Sequence, residues 1–393
     1  IIDEAVRNIL RIKFRMGLFE KPEKKGKPGC IGCAEHLEVC KEISRESIVL
    51  LKNNGVLPLE KNIGSVAVIG PNADDIRAQY GDWTYFSHPE PNPDHKPVKP
   101  YFTVLDGMRK LAKQNNRIVE YCRGCEIFSG DRGYGIFSPA AYEAVSTAKK
   151  CDAIVLVLGD MIDQTGEGKD RADLTLSGVQ MALLERLRSL SKPLVTVLVS
   201  SKPLCIERIA QETDALIVAF NGGMFGGLAV AEAIFGKLNP SGRLPISFPR
   251  HSGQLPVYYN SLPGWHGGKY IDLPAAPLYA FGEGMSYTSF RYSNLQLDEK
   301  SLTVSVDVIN IGKGGGFETI QVYFRDCVSS VMTPNKQLIG FEKVFLEAEE
   351  TKNVSFTFKR KDFSLVTSDE RRVTEPGEFL IMVGPSSKDN DLL

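Results

Sequence analysis

The sequence predicts an α/β fold, a mainly parallel sheet sandwiched by helices, followed by an all-β sandwich. Three observations carry this expectation. Between residues 35 and 250, short apolar runs alternate with amphipathic helical stretches, the repeat that builds a parallel sheet covered on both faces. One of these runs, Ala153-Ile154-Val155-Leu156-Val157-Leu158, is continuous, branched and short, as a fully buried strand requires. From Phe290 onward the apolar period drops to two, and turn residues separate the runs. The chain has 393 residues, enough for two or three domains with their own cores.

Taken in order, residues 1–19 read as a helix, with Ile2, Val6, Ile9 and Leu10 on one face and Gly17 as a C-terminal stop. Residues 20–34 are rich in Lys, Pro and Gly and read as a linker. The α/β region spans 35–250. In it, 35–53 suits a helix, 66–69 a buried strand ending at Gly70-Pro71-Asn72, 104–113 a helix and 118–122 a strand. A helix over 140–150 feeds the strand at 153, and a helix over 179–190 follows. Strands at 194–199 and 216–220 and a helix over 227–235 complete the region. The glycines at Gly70 and in Asn221-Gly222-Gly223-Met224-Phe225-Gly226-Gly227 match neither a dinucleotide fingerprint nor a phosphate loop, and tight strand-to-helix turns account for them. Residues 251–284 lack periodicity and read as an ordered connector whose aromatics, Tyr258, Tyr259, Trp265 and Tyr270, are expected to be buried. The sandwich spans 285–393, with strands at 302–308, 320–324, 354–358 and 378–383 and turns at 310–312 and 375–377.

The net charge of −1 gives no basis for a nucleic-acid partner or an anionic membrane surface. No apolar run approaches the roughly 20 residues that cross a bilayer as a helix. The first residue is Ile inside an amphipathic helix, so the natural start is expected to lie upstream. Two CxxC pairs occur among the eight cysteines, Cys30–Cys33 and Cys122–Cys125. They lie too far apart for a zinc ribbon, although distant segments do build zinc sites. Free thiols in a reducing cytosol are the expectation, with local disulfides the alternative for a secreted protein. Cys151 and Cys205 abut apolar runs and read as core. The sequence leaves the compartment unassigned and a homo-oligomer open.

The stretch after the strand at 153 draws the most chemistry. Loops leaving the carboxyl ends of parallel strands are where open α/β sheets place ligands. Here that loop reads Asp160-Met161-Ile162-Asp163-Gln164-Thr165-Gly166-Glu167-Gly168-Lys169-Asp170-Arg171, returning at Leu174-Thr175-Leu176. Glu167 sits between two glycines, so its backbone bends freely and little bulk shields its carboxyl group. The alternative is a solvated acid paired with Lys169 or Arg171.

Several stretches resemble glycoside hydrolase family 3. Asn239-Pro240-Ser241-Gly242-Arg243-Leu244-Pro245-Ile246-Ser247-Phe248 and residues 277–290, Pro-Leu-Tyr-Ala-Phe-Gly-Glu-Gly-Met-Ser-Tyr-Thr-Ser-Phe, resemble two of its signature stretches. Residues 165–171 with 174–176 resemble its acid/base loop, and residues 46–59 the entry to its second domain. Residues 2–19 resemble the last helix of its (β/α) barrel, which makes the first helix a remnant of a barrel that this chain lacks. The resemblance implies that the β-sandwich is fibronectin type III-like, with a structural role or, alternatively, direct carbohydrate binding.

The same resemblance implies a retaining, exo-acting β-glycosidase needing neither cofactor nor metal. Its partners would be a β-linked oligosaccharide or glycoside and the N-terminal barrel portion of the same enzyme. Glycosidic cleavage needs two carboxyl groups. Glu167 takes the family's proton-donor position, while the nucleophile Asp belongs to the barrel. Some relatives carry a further acid where this chain has Thr165. Asp163 and Asp170 are rivals, with Asp163 expected to cap a turn and Asp170 to pair with Arg171 and fix the loop. Asp170 and Arg171 are also candidate substrate-binding residues of the matched motif. Trp83, within Tyr80-Gly81-Asp82-Trp83-Thr84-Tyr85, aligns with a loop lining the leaving-group side of the cleft, where sugars stack on aromatic rings. Its alternative is a core or interdomain Trp. Trp265-His266 is a further aromatic candidate for the site rim. β-Glucosidase is the expected activity. β-Xylosidase, with or without α-L-arabinofuranosidase activity, and a non-catalytic carbohydrate-binding fragment are the alternatives. A periplasmic-type sugar-binding protein would have neither the acid-bearing loop nor the sandwich.

Overall fold

The computed structural model describes residues 1–22, 31–84, 99–127, 138–264 and 270–393. Cys30, Tyr85, Trp265 and His266 therefore lie outside the described residues. The chain divides into two compact units, Ile1–Cys40 and Lys41–Leu393.

In the first unit, helix α1 (Ile2–Arg15) carries Asp3 and Glu4 in its first turn and Lys13 and Arg15 in its last, the polarity its dipole favours. Gly17, at φ +65°, ends it, and the Leu18 N–H donates back to the Lys13 carbonyl. The expected apolar face is present but exposed, from Ile2 through Val6 and Ile9 to Leu10.

The next helix, which runs through the boundary at Cys40, brings a correction. The helix expected over 35–53 stops early: α2 covers Ala34–Glu46, and strand β1 covers Val49–Asn53. Ile48, Val49, Leu50 and Leu51 are all buried, which the single apolar stripe of a surface helix does not provide. β1 runs antiparallel to β6 (Ala215–Val218), with Val49 opposite Val218.

The rest of the α/β region follows the predicted alternation. Strands β2 (Ser65–Ile69), β3 (Ile118–Cys122), β4 (Ala153–Gly159), β5 (Leu194–Val199) and β6 form parallel pairs. Helices α4 (Val104–Gln114), α5 (Pro139–Lys150), α6 (Gln180–Arg188) and α8 (Gly226–Ile234) lie between or after them. Two short helices, α3 (Ile76–Tyr80) and α7 (Glu207–Glu212), were not anticipated. Caps fix the helix starts. Thr103 and Asp106 form a reciprocal box on α4, and Ser138 caps α5 ahead of Pro139. Every residue of β4 is buried, and Ile154, Leu156 and Leu158 join one core with Leu183, Leu184 and Leu187 of α6.

The strand order is β1-β6-β5-β4-β2-β3. From β2 the chain moves outward to β3, then returns to the other side of β2 as β4. At such a reversal, here outside the carboxyl ends of β2 and β4, an open α/β sheet places its ligand crevice. The glycines near 221–227 have a packing role as well as a turning one. A Cβ on Gly107 of α4 would lie 2.3 Å from the Gly227 carbonyl oxygen, so these two helices touch backbone to backbone.

The sandwich holds two three-stranded antiparallel sheets. One is β7 (Phe290–Asp298), β8 (Thr303–Asn310) and β11 (Thr351–Thr357). The other is β9 (Gly316–Asp326), β10 (Gln337–Leu346) and β14 (Phe379–Gly384). A small pair, β12 (Leu365–Val366) and β13 (Arg372–Val373), adds to them. Val304, Val306 and Val308 alternate inward from β8 to meet Ile320, Val322 and Phe324 of β9. β7 and β10 were not foreseen.

The two signature stretches, 239–248 and 277–290, join the α/β layer to the sandwich. Asn239 Oδ1 accepts from the Ser286 hydroxyl (2.9 Å) and the Tyr287 N–H (2.7 Å), while its Nδ2 donates to the Gly315 carbonyl (3.2 Å). Arg243 donates to Glu318 Oε2 at 2.5 Å, and the Tyr292 hydroxyl donates to Oε1 at 2.7 Å. Burial pushes the Glu318 carboxyl above its ordinary range, with Arg243 and Tyr292 opposing that shift. Tyr259 of the connector stacks on Phe281 at 4.2 Å. Tyr258, expected to be buried, is exposed, because its neighbour Tyr259 takes the inward position.

Candidate active site

Two loops leave the strands that flank the crevice: residues 70–84 after β2, and 160–176 after β4. The second is closed at its feet. Gln180, the first residue of α6, grips the last residue of β4 with both ends of its side-chain amide. Its Nε2 donates to the Gly159 carbonyl and its Oε1 accepts the Gly159 N–H, each at 2.9 Å. Next to it lies Asp160, only 2% exposed. Arg171 donates to Asp160 Oδ1 at 2.7 Å, the Ser200 hydroxyl donates to Oδ2 at 3.0 Å, and Lys202 Nζ stands 3.4 Å from Oδ2. Lys202 also donates to the Gln164 carbonyl at 2.6 Å, and Asn72, at the end of β2, donates to the Asp160 carbonyl at 2.8 Å. The buried Asp160 carboxylate thus gathers two cations and a hydroxyl around the base of the loop, while its backbone carbonyl accepts from Asn72 in the neighbouring loop.

This arrangement corrects one expectation. Arg171 does not pair with its neighbour Asp170. Its guanidinium turns inward to Asp160 and to the Thr175 carbonyl, while Asp170 is exposed. Consecutive side chains of an extended segment diverge, so adjacency in sequence opposed the pairing. Asp163 lies in a short 3₁₀ turn (Ile162–Gln164), and the side chain that closes this turn is Gln164, which accepts the Met161 N–H. The returning leg is pinned at Leu174, whose N–H donates to the Ser252 hydroxyl and whose carbonyl accepts the Cys205 N–H. Asp173 accepts from the Thr175 N–H and hydroxyl, which hold its carboxyl below the usual range.

With both feet fixed, the tip projects. Thr165 is buried, Gly166 is half-buried at φ +120°, and Glu167 and Gly168 are exposed. The tip meets the first loop at Asp82. A Cβ on Gly166 would stand 2.0 Å from Asp82 Oδ2, so only glycine lets the carboxyl group rest there. Lys169 Nζ bridges Asp82 Oδ1 at 3.4 Å and the Ile162 carbonyl at 3.0 Å. Trp83, next in the chain, is 78% exposed, so it is not a core residue of this unit. The structure therefore brings together the loops of Glu167 and Trp83, with both side chains outward, and sends Arg171 inward. Asp160 and Asp82 escaped the sequence reading. A carboxylate at the very end of an all-apolar strand was the available signal for Asp160.

The other cysteine and cavity features lie elsewhere. Cys122 and Cys125 are buried free thiols, and burial pushes Cys125 up to about 12. Among the described residues no group of three His, Cys, Asp or Glu side chains is arranged to hold a metal ion. A cleft of about 620 Å³ lined by Asn54, Glu60, Arg188, Lys192 and Asp214 lies where β5 and β6 begin, at the opposite end of the sheet.

The α/β layer and the β-sandwich joined to it each match a known family model. The chain belongs to glycosyl hydrolase family 3. Residues 48–287 match the model of the glycosyl hydrolase family 3 C-terminal domain, and residues 318–387 that of a fibronectin type III-like domain. A "Beta-xylosidase" of Formosa agariphila is 41% identical over 100% of this chain and 54% of its own length. A "Periplasmic beta-glucosidase" of Salmonella typhimurium is 35% identical over 98% of this chain and 54% of its own. The structure of a β-glucosidase involved in saponin metabolism from intestinal bacteria superposes with a TM-score of 0.87 at 39% identity, covering 100% of this chain and 58% of that one. The chain spans about half the length of the relatives it matches.

Proposed function

We propose that these residues supply the general acid/base half of a retaining, exo-acting β-glycosidase. Glu167 is the proton donor to the leaving-group oxygen. Later it deprotonates the water that releases the sugar. The nucleophilic carboxylate comes from a barrel portion outside these residues, in line with the half-length match to relatives. The carrying observation is the exposed Glu167 on a glycine-flanked tip whose feet are locked by Asp160 and Gln180 at the sheet's switch point. Trp83 offers an aromatic face to the leaving-group sugar. Arg171 acts through Asp160 to hold the loop instead of touching substrate. Asp170, exposed three residues after Glu167, is available to a substrate hydroxyl.

The test is Glu167→Ala in the full-length enzyme. Natural disaccharides need protonation of a poor leaving group and should lose about 10²–10⁴-fold in rate. Dinitrophenyl glycosides need little such help and should retain most of their first-step rate. Azide should restore their turnover and yield a β-glycosyl azide. Disaccharide turnover near the unaltered rate would remove Glu167 from the role and make Asp170 the next residue to test.

β-Glucosidase is the proposed activity. The alternative, β-xylosidase with or without α-L-arabinofuranosidase activity, is favoured by the name of the 41% identical relative. Comparing nitrophenyl β-glucoside with nitrophenyl β-xyloside on the full-length enzyme decides between them. Residues 1–393 alone should turn over neither substrate, and robust activity of that piece would overturn the division of the catalytic pair.

A further inference from the structure

The two loops that flank the crevice alternate in the same way. Asp82 turns inward with its side chain 10% exposed, and Trp83 turns outward. Gly166 turns inward against Asp82, and Glu167 turns outward. The inward pair is a contact of carboxyl group on bare backbone that no side chain at 166 would permit, and Lys169 spans it. The Asp82 loop is also fixed from behind. Gly81, at φ +80°, leaves no room for a Cβ beside the Asn221 side chain, and Asn221 Nδ2 donates to the Ala78 carbonyl at 2.9 Å. The Thr84 hydroxyl donates to the Gly81 carbonyl at 3.2 Å, which closes the turn that presents Trp83.

We propose that Asp82 is a positioning residue that locks the leaving-group platform at Trp83 to the proton donor at Glu167, so that the enzyme selects its leaving group through both loops at once. The proposal rests on the acid/base reading of Glu167. Neither loop alone fixes the distance between an aromatic platform and a proton donor. The Asp82–Gly166 contact does, one residue from each. Holding the two loops at that contact holds Trp83 and Glu167, each one residue away, at a fixed separation. Positioning of this kind matters because a shift of about 1 Å costs up to about 10²-fold in rate. A leaving group that needs no proton is indifferent to it.

The experiment uses the full-length enzyme with Asp82→Ala, Trp83→Ala and the double variant, assayed on a β-linked disaccharide and on the matching dinitrophenyl glycoside. Asp82→Ala should lower kcat/KM for the disaccharide by about 10–100-fold and for the dinitrophenyl glycoside by less than about 3-fold, and that second activity reports an intact fold. The double variant should fall little below the worse single variant on the disaccharide, because the two act as a unit. Gly166→Ala, which forces the loops apart, should give the same contrast. Equal losses on both substrates, or multiplicative losses in the double variant, would overturn the proposal. Glu167→Ala run alongside separates the two ideas. If it shows no leaving-group contrast, the acid/base reading itself falls. If it shows the contrast and Asp82→Ala does not, only the lock between the loops falls.

Discussion

The loop over 160–176 and the junction of 239–248 with 277–290 and the sandwich each contain a buried carboxylate paired with an arginine. Asp160 with Arg171 closes the loop at 2.7 Å, and Glu318 with Arg243 joins the two domains at 2.5 Å. Around Glu318 everything turns inward, and a tyrosine hydroxyl takes its second oxygen. Around Asp160 the same chemistry fixes a backbone so that, seven residues on, one acid faces solvent. In each pair the arginine, Arg171 or Arg243, falls within a stretch that resembles the family's signatures, so resemblance alone does not separate chemistry from packing. Burial does. A buried ion pair marks where the backbone must stay.

The comparison breaks most readily at the junction. Arg243→Ala leaves Glu318 buried and unpaired, and truncating one partner of such a pair costs about 3–5 kcal/mol. Chemical denaturation of the second unit would measure this. The folded fraction should keep the unaltered preference among leaving groups. A loss under about 1 kcal/mol would mean that the junction is not held by this pair.

Asp160→Asn should show the opposite profile. Arg171 and Lys202 are partly solvated, so the stability loss should stay near 1–3 kcal/mol. The activity loss should fall mainly on poor leaving groups, as for Glu167→Ala but weaker. Denaturation and a series of aryl glycosides on the full-length enzyme check both parts. A uniform loss across the series would reduce Asp160 to a structural residue.

Trp83→Ala sharpens the contrast further. An exposed side chain away from caps and cores changes stability by about 0.5 kcal/mol or less. Disaccharide binding should nonetheless weaken more than binding of monosaccharide inhibitors. Equal weakening of both would exclude a leaving-group platform.

The far end of the sheet supplies the control with the smallest expected effect. Asp152 Oδ2 accepts the Gly64 N–H, the Ser65 N–H and the Ser65 hydroxyl, tying β4 to β2. The Ser65 hydroxyl first, then backbone N–H groups, hold its carboxyl below the ordinary 3.8. A carboxyl whose folded pKa is lowered stabilises the fold above its unfolded value and loses that contribution as pH falls through the lowered one. Asp152→Asn should therefore reduce the melting temperature slightly at pH 7. The difference should vanish in acid below the lowered pKa, with activity unaffected throughout. A pH-independent difference would show that charge is not what Asp152 contributes.

Much of the layer order was legible because it follows from periodicity. β4 is an unbroken apolar run, and β8 alternates strictly. The join of α2 to β1 was not, since only Ser47 separates an amphipathic helix from the apolar run at 48–51 and no Gly or Pro marks the change. Glu167 stood out through its flanking glycines. Asp82 did not, because its partner Lys169 lies 87 residues away, and Asp160 did not, because Ser200 and Lys202 lie 40 and 42 residues away and Arg171 has the adjacent Asp170 as a nearer apparent partner.

The direction of β1 has a consequence for assembly. Because Val49 pairs with Val218, the final residue of β6, the chain enters this layer at the carboxyl edge of the sheet. Ser44 confirms the entry point by donating to the Gly222 carbonyl, just beyond β6. A parallel first strand would have brought the polypeptide in at the edge where the 620 Å³ cleft lies. As built, the chain just ahead of β1 reaches this layer at the edge from which the Glu167 loop leaves.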